Sequence, residues 1–69
     1  MKKSEIVKIY RFYKNGMYTD DYDVVYSSGR RIKYFIEGEM INKHFEFMMN
    51  SKGETRYTVA GYKVDVFFK

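Results

Sequence analysis

Residues with chemistry to offer are sparse in this 69-residue chain. His44 is its single histidine, and there is no cysteine. A histidine acting as general base needs a nucleophile within reach and a third group to orient it. Glu46 shares a face with His44 if the segment is a strand, but no nucleophile accompanies them. His44 therefore reads as an exposed polar side chain. Asp20, Asp21 and Asp23 form an acidic cluster. They lack the glycine and the twelfth-position glutamate of a calcium-binding loop, and read as a solvated, charge-paired face. Asp65, with Glu54 upstream, has the setting of a nuclease metal ligand but no second carboxylate and lysine in register. No metal ion or other cofactor is expected, and an enzyme is the least expected class.

The basic and aromatic residues are more suggestive. Lys2, Lys3, Lys8, Arg11 and Lys14 fall in the first sixteen residues against one acid, Glu5. Tyr10, Phe12 and Tyr13 are interleaved with them. Cations hold phosphates and exposed rings stack on unpaired bases, which is how small β domains bind single strands. Arg30, Arg31, Lys33 and Phe35 extend the patch, and Phe67 lies near the end of the last apolar run. The residues proposed from sequence to meet a partner are therefore Lys8, Tyr10, Arg11, Tyr13, Lys14, Arg30, Arg31, Lys33, Phe35 and Phe67. The plainer alternative is that the cations are the solvent-facing side of an edge strand and the rings are core.

Runs of β-branched and aromatic residues must position these side chains. Five glycines punctuate them, at Gly16, Gly29, Gly38, Gly53 and Gly61. Residues 5–14 are apolar on both alternating faces, which suits a strand covered on both sides or crossing a barrel seam. Asn15-Gly16 is a strong two-residue hairpin signal. Residues 17–27 alternate cleanly, with a bulge or bend expected at Asp20-Asp21. Residues 30–37 follow Ser27-Ser28-Gly29, and Arg31 and Lys33 are expected opposite Asp21 and Asp23. Residues 54–60 and 62–68 alternate as two further strands about Ala60-Gly61.

Residues 40–49 fit two periods. As a helix, Met40, Ile41, His44, Phe45, Phe47, Met48 and Met49 share a side. As a strand, Ile41, Phe45, Phe47 and Met49 face inward while Asn42, His44 and Glu46 face out. Asn50-Ser51-Lys52-Gly53 suits a type I turn closed by a glycine bulge, which favours the strand. The expected fold is then all-β: a six-stranded antiparallel meander forming a small barrel or strongly bent sheet. The alternative is α+β, with residues 39–50 as a helix packed on a five-stranded antiparallel sheet. An open six-stranded sheet leaves its first and last strands as edges, the last being apolar, lightly guarded and expected to pair with the first strand, a second chain or a target.

Length allows a single small domain over residues 1–69. One core of that size supplies only a few kcal/mol, and disulfides are unavailable to it. Eight Tyr and six Phe, with five Met, are more than such a core encloses, so some lie at the surface or an interface. No signal peptide, membrane span or glycosylation sequon is visible, and a cytoplasmic location is expected. Lys, Ile, Tyr and Asn usage points to an AT-rich genome, a bacterium or its phage.

Surplus aromatic and Met residues are typical of protein interfaces. The leading expectation is a non-enzymatic protein that binds a host protein stoichiometrically, in the manner of phage or mobile-element inhibitors of host defence proteins or nucleases. A homodimer through an exposed edge strand or aromatic face is a related expectation. A single-stranded nucleic-acid-binding domain, using a basic and aromatic sheet face, is the alternative from another class.

Overall fold

The computed structural model describes residues 4–35 and 40–69; Gly38 and the end of the third run lie outside the described residues. Five strands and a helix follow in the order β1 (Ile6–Lys14), β2 (Met17–Tyr26), β3 (Arg31–Phe35), α1 (Met40–Met49), β4 (Gly53–Val59) and β5 (Tyr62–Phe68). All pairings are antiparallel, in one open sheet with strand order β3-β2-β1-β5-β4. This overturns the six-stranded meander and the barrel, and agrees with the α+β alternative.

Two hairpins close through type I′ turns, whose two central residues both need positive φ. Asn15 and Gly16 have φ of 53° and 81°, Ala60 and Gly61 of 49° and 83°. Asn tolerates that region, whereas Ala adopts it against the contact of its Cβ with the backbone. Along β1 and β2 the register slips twice. Lys8 pairs with Val25 but Ile6 with Tyr26, which leaves Val7 as an extra residue. Arg11 pairs with Tyr22 but Tyr13 with Tyr18, so Phe12 alone faces residues 19–21. The irregularity expected at Asp20-Asp21 lies there.

The segment expected as the fourth strand is the helix. Its i, i+3, i+4 set of His44, Phe47 and Met48 settles on the sheet. Phe47 is buried with Ile9, Tyr22 and Val24, and Ile6, Tyr26, Tyr34, Met48 and Phe67 pack around them. Burying each large apolar side chain contributes roughly 1.5–3 kcal/mol. A strand at this position would leave that side of the sheet bare. At the helix end, Ser51 Oγ donates to the Phe47 carbonyl (2.8 Å), one of the carbonyls left without a helical partner. Gly53 takes no positive φ and closes no bulge. It lies beneath the ring of Phe68, its cross-strand partner, which occupies the space of a Cβ.

The expected edges are also corrected. β1 is the central strand, and β5 is interior, between β1 and β4. The apolar end of β5 pairs with β1, Phe67 opposite Ile9 and Val66 opposite Tyr10. The edges are β3 and β4. No helix among the described residues is long and apolar enough to cross a membrane.

Candidate interaction surface

Paired residues of an antiparallel sheet share a face, and faces alternate along each strand. On the helix side lies a row of Ile32, Val24, Ile9, Phe67 and Glu54. The next row is Tyr34, Tyr22, Arg11, Asp65 and Arg56. On the opposite side the rows are Arg31, Val25, Lys8, Phe68 and Gly53, then Lys33, Asp23, Tyr10, Val66 and Thr55. A further row holds Phe35 and Asp21 on one flank, Phe12, Val64 and Tyr57 on the other.

Under the helix, His44 is 1 % exposed, which corrects its reading as a surface residue. Its Nδ1 is 2.6 Å from the Tyr22 hydroxyl, and its ring meets Tyr22 and Tyr34 edge-on. Burial lowers its pKa from the ordinary 6.5 and favours the neutral ring. The Tyr26 and Tyr34 hydroxyls are 2.9 Å apart. Burial and that hydrogen bond push Tyr26 up to about 12. No carboxylate hydrogen-bonds His44 among the described residues, and its side-chain partner there is the Tyr22 hydroxyl.

Beyond the helix the same face carries a polar cluster. Asp65 is fully buried and accepts Arg56 Nε at 2.6 Å, Arg56 Nη2 at 2.9 Å and the Tyr18 hydroxyl at 2.6 Å. The Arg56 hydrogen bond is the main cause that holds its carboxyl below the usual 3.8. Arg11 sits over the rings of Tyr18 (4.2 Å) and Phe45 (5.1 Å), and Arg56 over Tyr13 (4.7 Å). Asp65 thus neutralises an arginine and orders a ring. Among the described residues no three of His, Asp and Glu come together as metal ligands.

The opposite face has no layer over it among the described residues. Val64 and Val66 are nonetheless buried there. Phe35 is 64 % exposed, Tyr57 41 % and Tyr62 39 %. Phe12, Lys14, Thr19, Asp21, Lys33 and Tyr62 line a groove of about 410 Å³. Four cations, Lys8, Lys14, Arg31 and Lys33, share the face with two carboxylates, Asp21 and Asp23. Arg31 bonds Asp23 through Nε (2.9 Å) and Nη2 (2.8 Å). The cations also lie on rings: Arg31 over Tyr10 (4.4 Å), Lys14 over Tyr62 (4.9 Å) and Lys33 over Phe12 (5.7 Å).

Six of the ten sequence-derived residues therefore meet on this open face: Lys8, Tyr10, Lys14, Arg31, Lys33 and Phe35. Arg11 and Tyr13 belong to the Asp65 cluster on the other side, Phe67 packs against the core, and Arg30 is exposed in the β2–β3 turn. Phe12, Tyr57 and Tyr62 complete the face. Their alternation with polar neighbours was a visible signal, but it marks a buried face and an open one equally well.

The fold and surface define a small α+β protein with one helix-covered and one open sheet face. Comparison with protein-family models, curated proteins and solved structures finds no match for the chain.

Proposed function

We propose that the chain is a non-enzymatic module that binds a protein partner stoichiometrically through the open sheet face. One observation carries this reading. An antiparallel sheet with a solvated face places polar residues on it. Here that face bears the exposed rings of Phe35, Tyr57 and Tyr62, with Tyr10, Phe12 and Phe68 half-buried among them, around a few charges. Aromatic rings with an arginine on an apolar ground are the composition of a protein interface, and lysines belong to its polar rim.

Nucleic acid is the second reading, supported by the four cations that share the face with rings. It is weakened by the same geometry. Tyr10, Phe12 and Tyr62 each already lie under a cation of their own sheet, and Arg31 is engaged by Asp23.

The experiment is affinity capture from host lysate, with and without nuclease, using the wild type, Phe35→Asp with Tyr62→Ser, and Lys43→Glu on the exposed helix surface. A protein captured by the wild type and by Lys43→Glu, lost with the open-face variant and insensitive to nuclease, supports the proposal. Capture that the open-face substitutions leave unchanged overturns it. Capture abolished by nuclease, with binding to a single-stranded oligonucleotide that weakens steeply with salt, replaces it with the second reading.

A further inference from the structure

We propose that β4 is a self-pairing edge, and that two copies of this chain join through it about a two-fold axis into one continuous ten-stranded sheet. This goes beyond the partner-binding face, because it concerns the backbone edge and a second copy.

The inner side of β4 is paired to β5 in an unbroken register. In a two-residue type I′ hairpin the closing pair, here Val59 and Tyr62, is hydrogen-bonded. Hydrogen-bonded pairs then recur at Tyr57–Val64, Thr55–Val66 and Gly53–Phe68. The N–H and C=O groups of Glu54, Arg56 and Thr58 consequently point away from β5, along the outer edge. No strand meets them among the described residues. Edges are ordinarily guarded by charged side chains, proline or a bulge. Gly53–Val59 has no proline and no bulge, and its two charges, Glu54 and Arg56, are of opposite sign.

A two-fold pairing of β4 with itself has three registers near the middle of the strand. Centred on Arg56, it sets two arginines against each other. Centred on Tyr57, it leaves Glu54 facing the turn residue Ala60. Centred on Thr55, it sets Glu54 opposite Arg56 of the other copy, and does so twice. Opposite charges directly across strands stabilise a pairing, and like charges oppose it. Arg56 holds Asp65 through Nε and Nη2, which leaves Nη1 for the incoming carboxylate. Glu54 is exposed and has no ion-pair partner among the described residues.

The same register brings Tyr57 beside the other copy's Gly53, the one position on the strand without a side chain. The ring of Phe68 lies over that glycine, so the exposed Tyr57 ring meets an aromatic surface across the junction. Charge and shape thus select one register, and both are reciprocal, as an isologous interface requires. A foreign strand has no such reciprocity to offer. Because the axis runs normal to the sheet, both helices lie on one side and the two open faces join on the other.

The test exploits the absence of cysteine from the chain. Thr55 is the central, non-hydrogen-bonded position of the pairing, where two Cβ atoms come within disulfide reach. Thr55→Cys is expected to form a disulfide-linked dimer on mild oxidation at least about tenfold faster than Tyr57→Cys or the helix control Lys43→Cys. Sedimentation of the wild type over a concentration series is expected to show a monomer–dimer equilibrium, and Glu54→Arg to weaken it by about tenfold or more with an unchanged circular dichroism spectrum. A wild type that stays monomeric at its highest soluble concentration overturns the proposal. So does cross-linking of Thr55→Cys no faster than that of Lys43→Cys, or dimerisation indifferent to Glu54→Arg. None of these measurements depends on the identity of a protein partner.

Discussion

The Nδ1 of His44 lies 2.6 Å from the Tyr22 hydroxyl, with the histidine sealed between helix and sheet. Whichever atom donates, the neutral ring suffices, and protonation would place a charge in the core. The folded pKa is lowered from 6.5 by burial. Above pH 6.5 both folded and unfolded states carry a neutral ring, so its contribution to stability is complete. Below it the unfolded chain binds the proton first, and stability falls by up to about 1.4 kcal/mol per pH unit until the folded pKa is reached. At the alkaline end the sign reverses. Tyr26 is raised from 10.0 to about 12, so the unfolded chain loses its proton first and stability falls as pH rises through that interval. Thermal melts are expected to show a plateau from about pH 6.5 to 10, and His44→Gln to flatten the acid limb. An acid limb equally steep in that variant would remove His44 as its origin.

Asp65 and Arg56 form an unequal pair, the carboxylate fully buried and the guanidinium half-exposed. Loss of the arginine strands a charge in the core, whereas loss of the aspartate returns an arginine to water. Arg56→Ala is therefore expected to lower the melting temperature more than Asp65→Val, which costs about 1 kcal/mol or less. The double variant should recover most of the loss caused by Arg56→Ala. Equal destabilisation by the two single changes would contradict this account.

Much of the sheet was legible in local pattern. Asn15-Gly16 marked its hairpin, the clean alternation of residues 17–27 marked β2, and Asp20-Asp21 marked the register slip. The two apolar faces of β1 suggested cover on both sides or a barrel seam, but the helix packs on one face and no layer covers the other among the described residues. The helix was not legible, because Met40–Met49 satisfies both periods, and the choice is made by the bare side of a sheet assembled from distant residues. His44 was misplaced with it, since the strand reading turned it toward solvent beside Asn42 and Glu46. The pairing of β1 with β5 joins the two ends of the described chain and leaves no local signal, so the sequence makes the first strand only one of several candidate partners for the apolar last strand. Of the candidate surface, six residues were found through composition. Arg11 and Tyr13 were included because only register separates them from Tyr10 and Lys14.

Ala60 holds a φ of 49° in the second hairpin, where the first has Asn15 at 53°. An alanine in the left-handed region costs about 1–2 kcal/mol that asparagine partly avoids. Ala60→Asn is expected to stabilise the protein by about 0.5–1 kcal/mol, a rise of roughly 2–8 °C in melting temperature for a domain this size. The side chain at residue 60 is exposed, so no packing term opposes the gain. A melting temperature unchanged or lowered would show that the turn does not hold this conformation.

Gly53 and Phe68 make a prediction opposite in sign to the usual one. Glycine within a strand is ordinarily a weakness, and a larger residue there adds stability. Here the Phe68 ring already fills the space above Gly53, and a Cβ would overlap it. Gly53→Ala must expel the ring, with an expected cost of about 1–3 kcal/mol from overpacking. Phe68→Ala removes both the ring and the obstacle. In that background Gly53→Ala should become neutral or stabilising, giving a double-mutant coupling of about 1 kcal/mol or more. Chemical denaturation of the four proteins reads the coupling directly. Additive effects would mean that the ring leaves the glycine in solution, and that the glycine's role lies in the backbone alone.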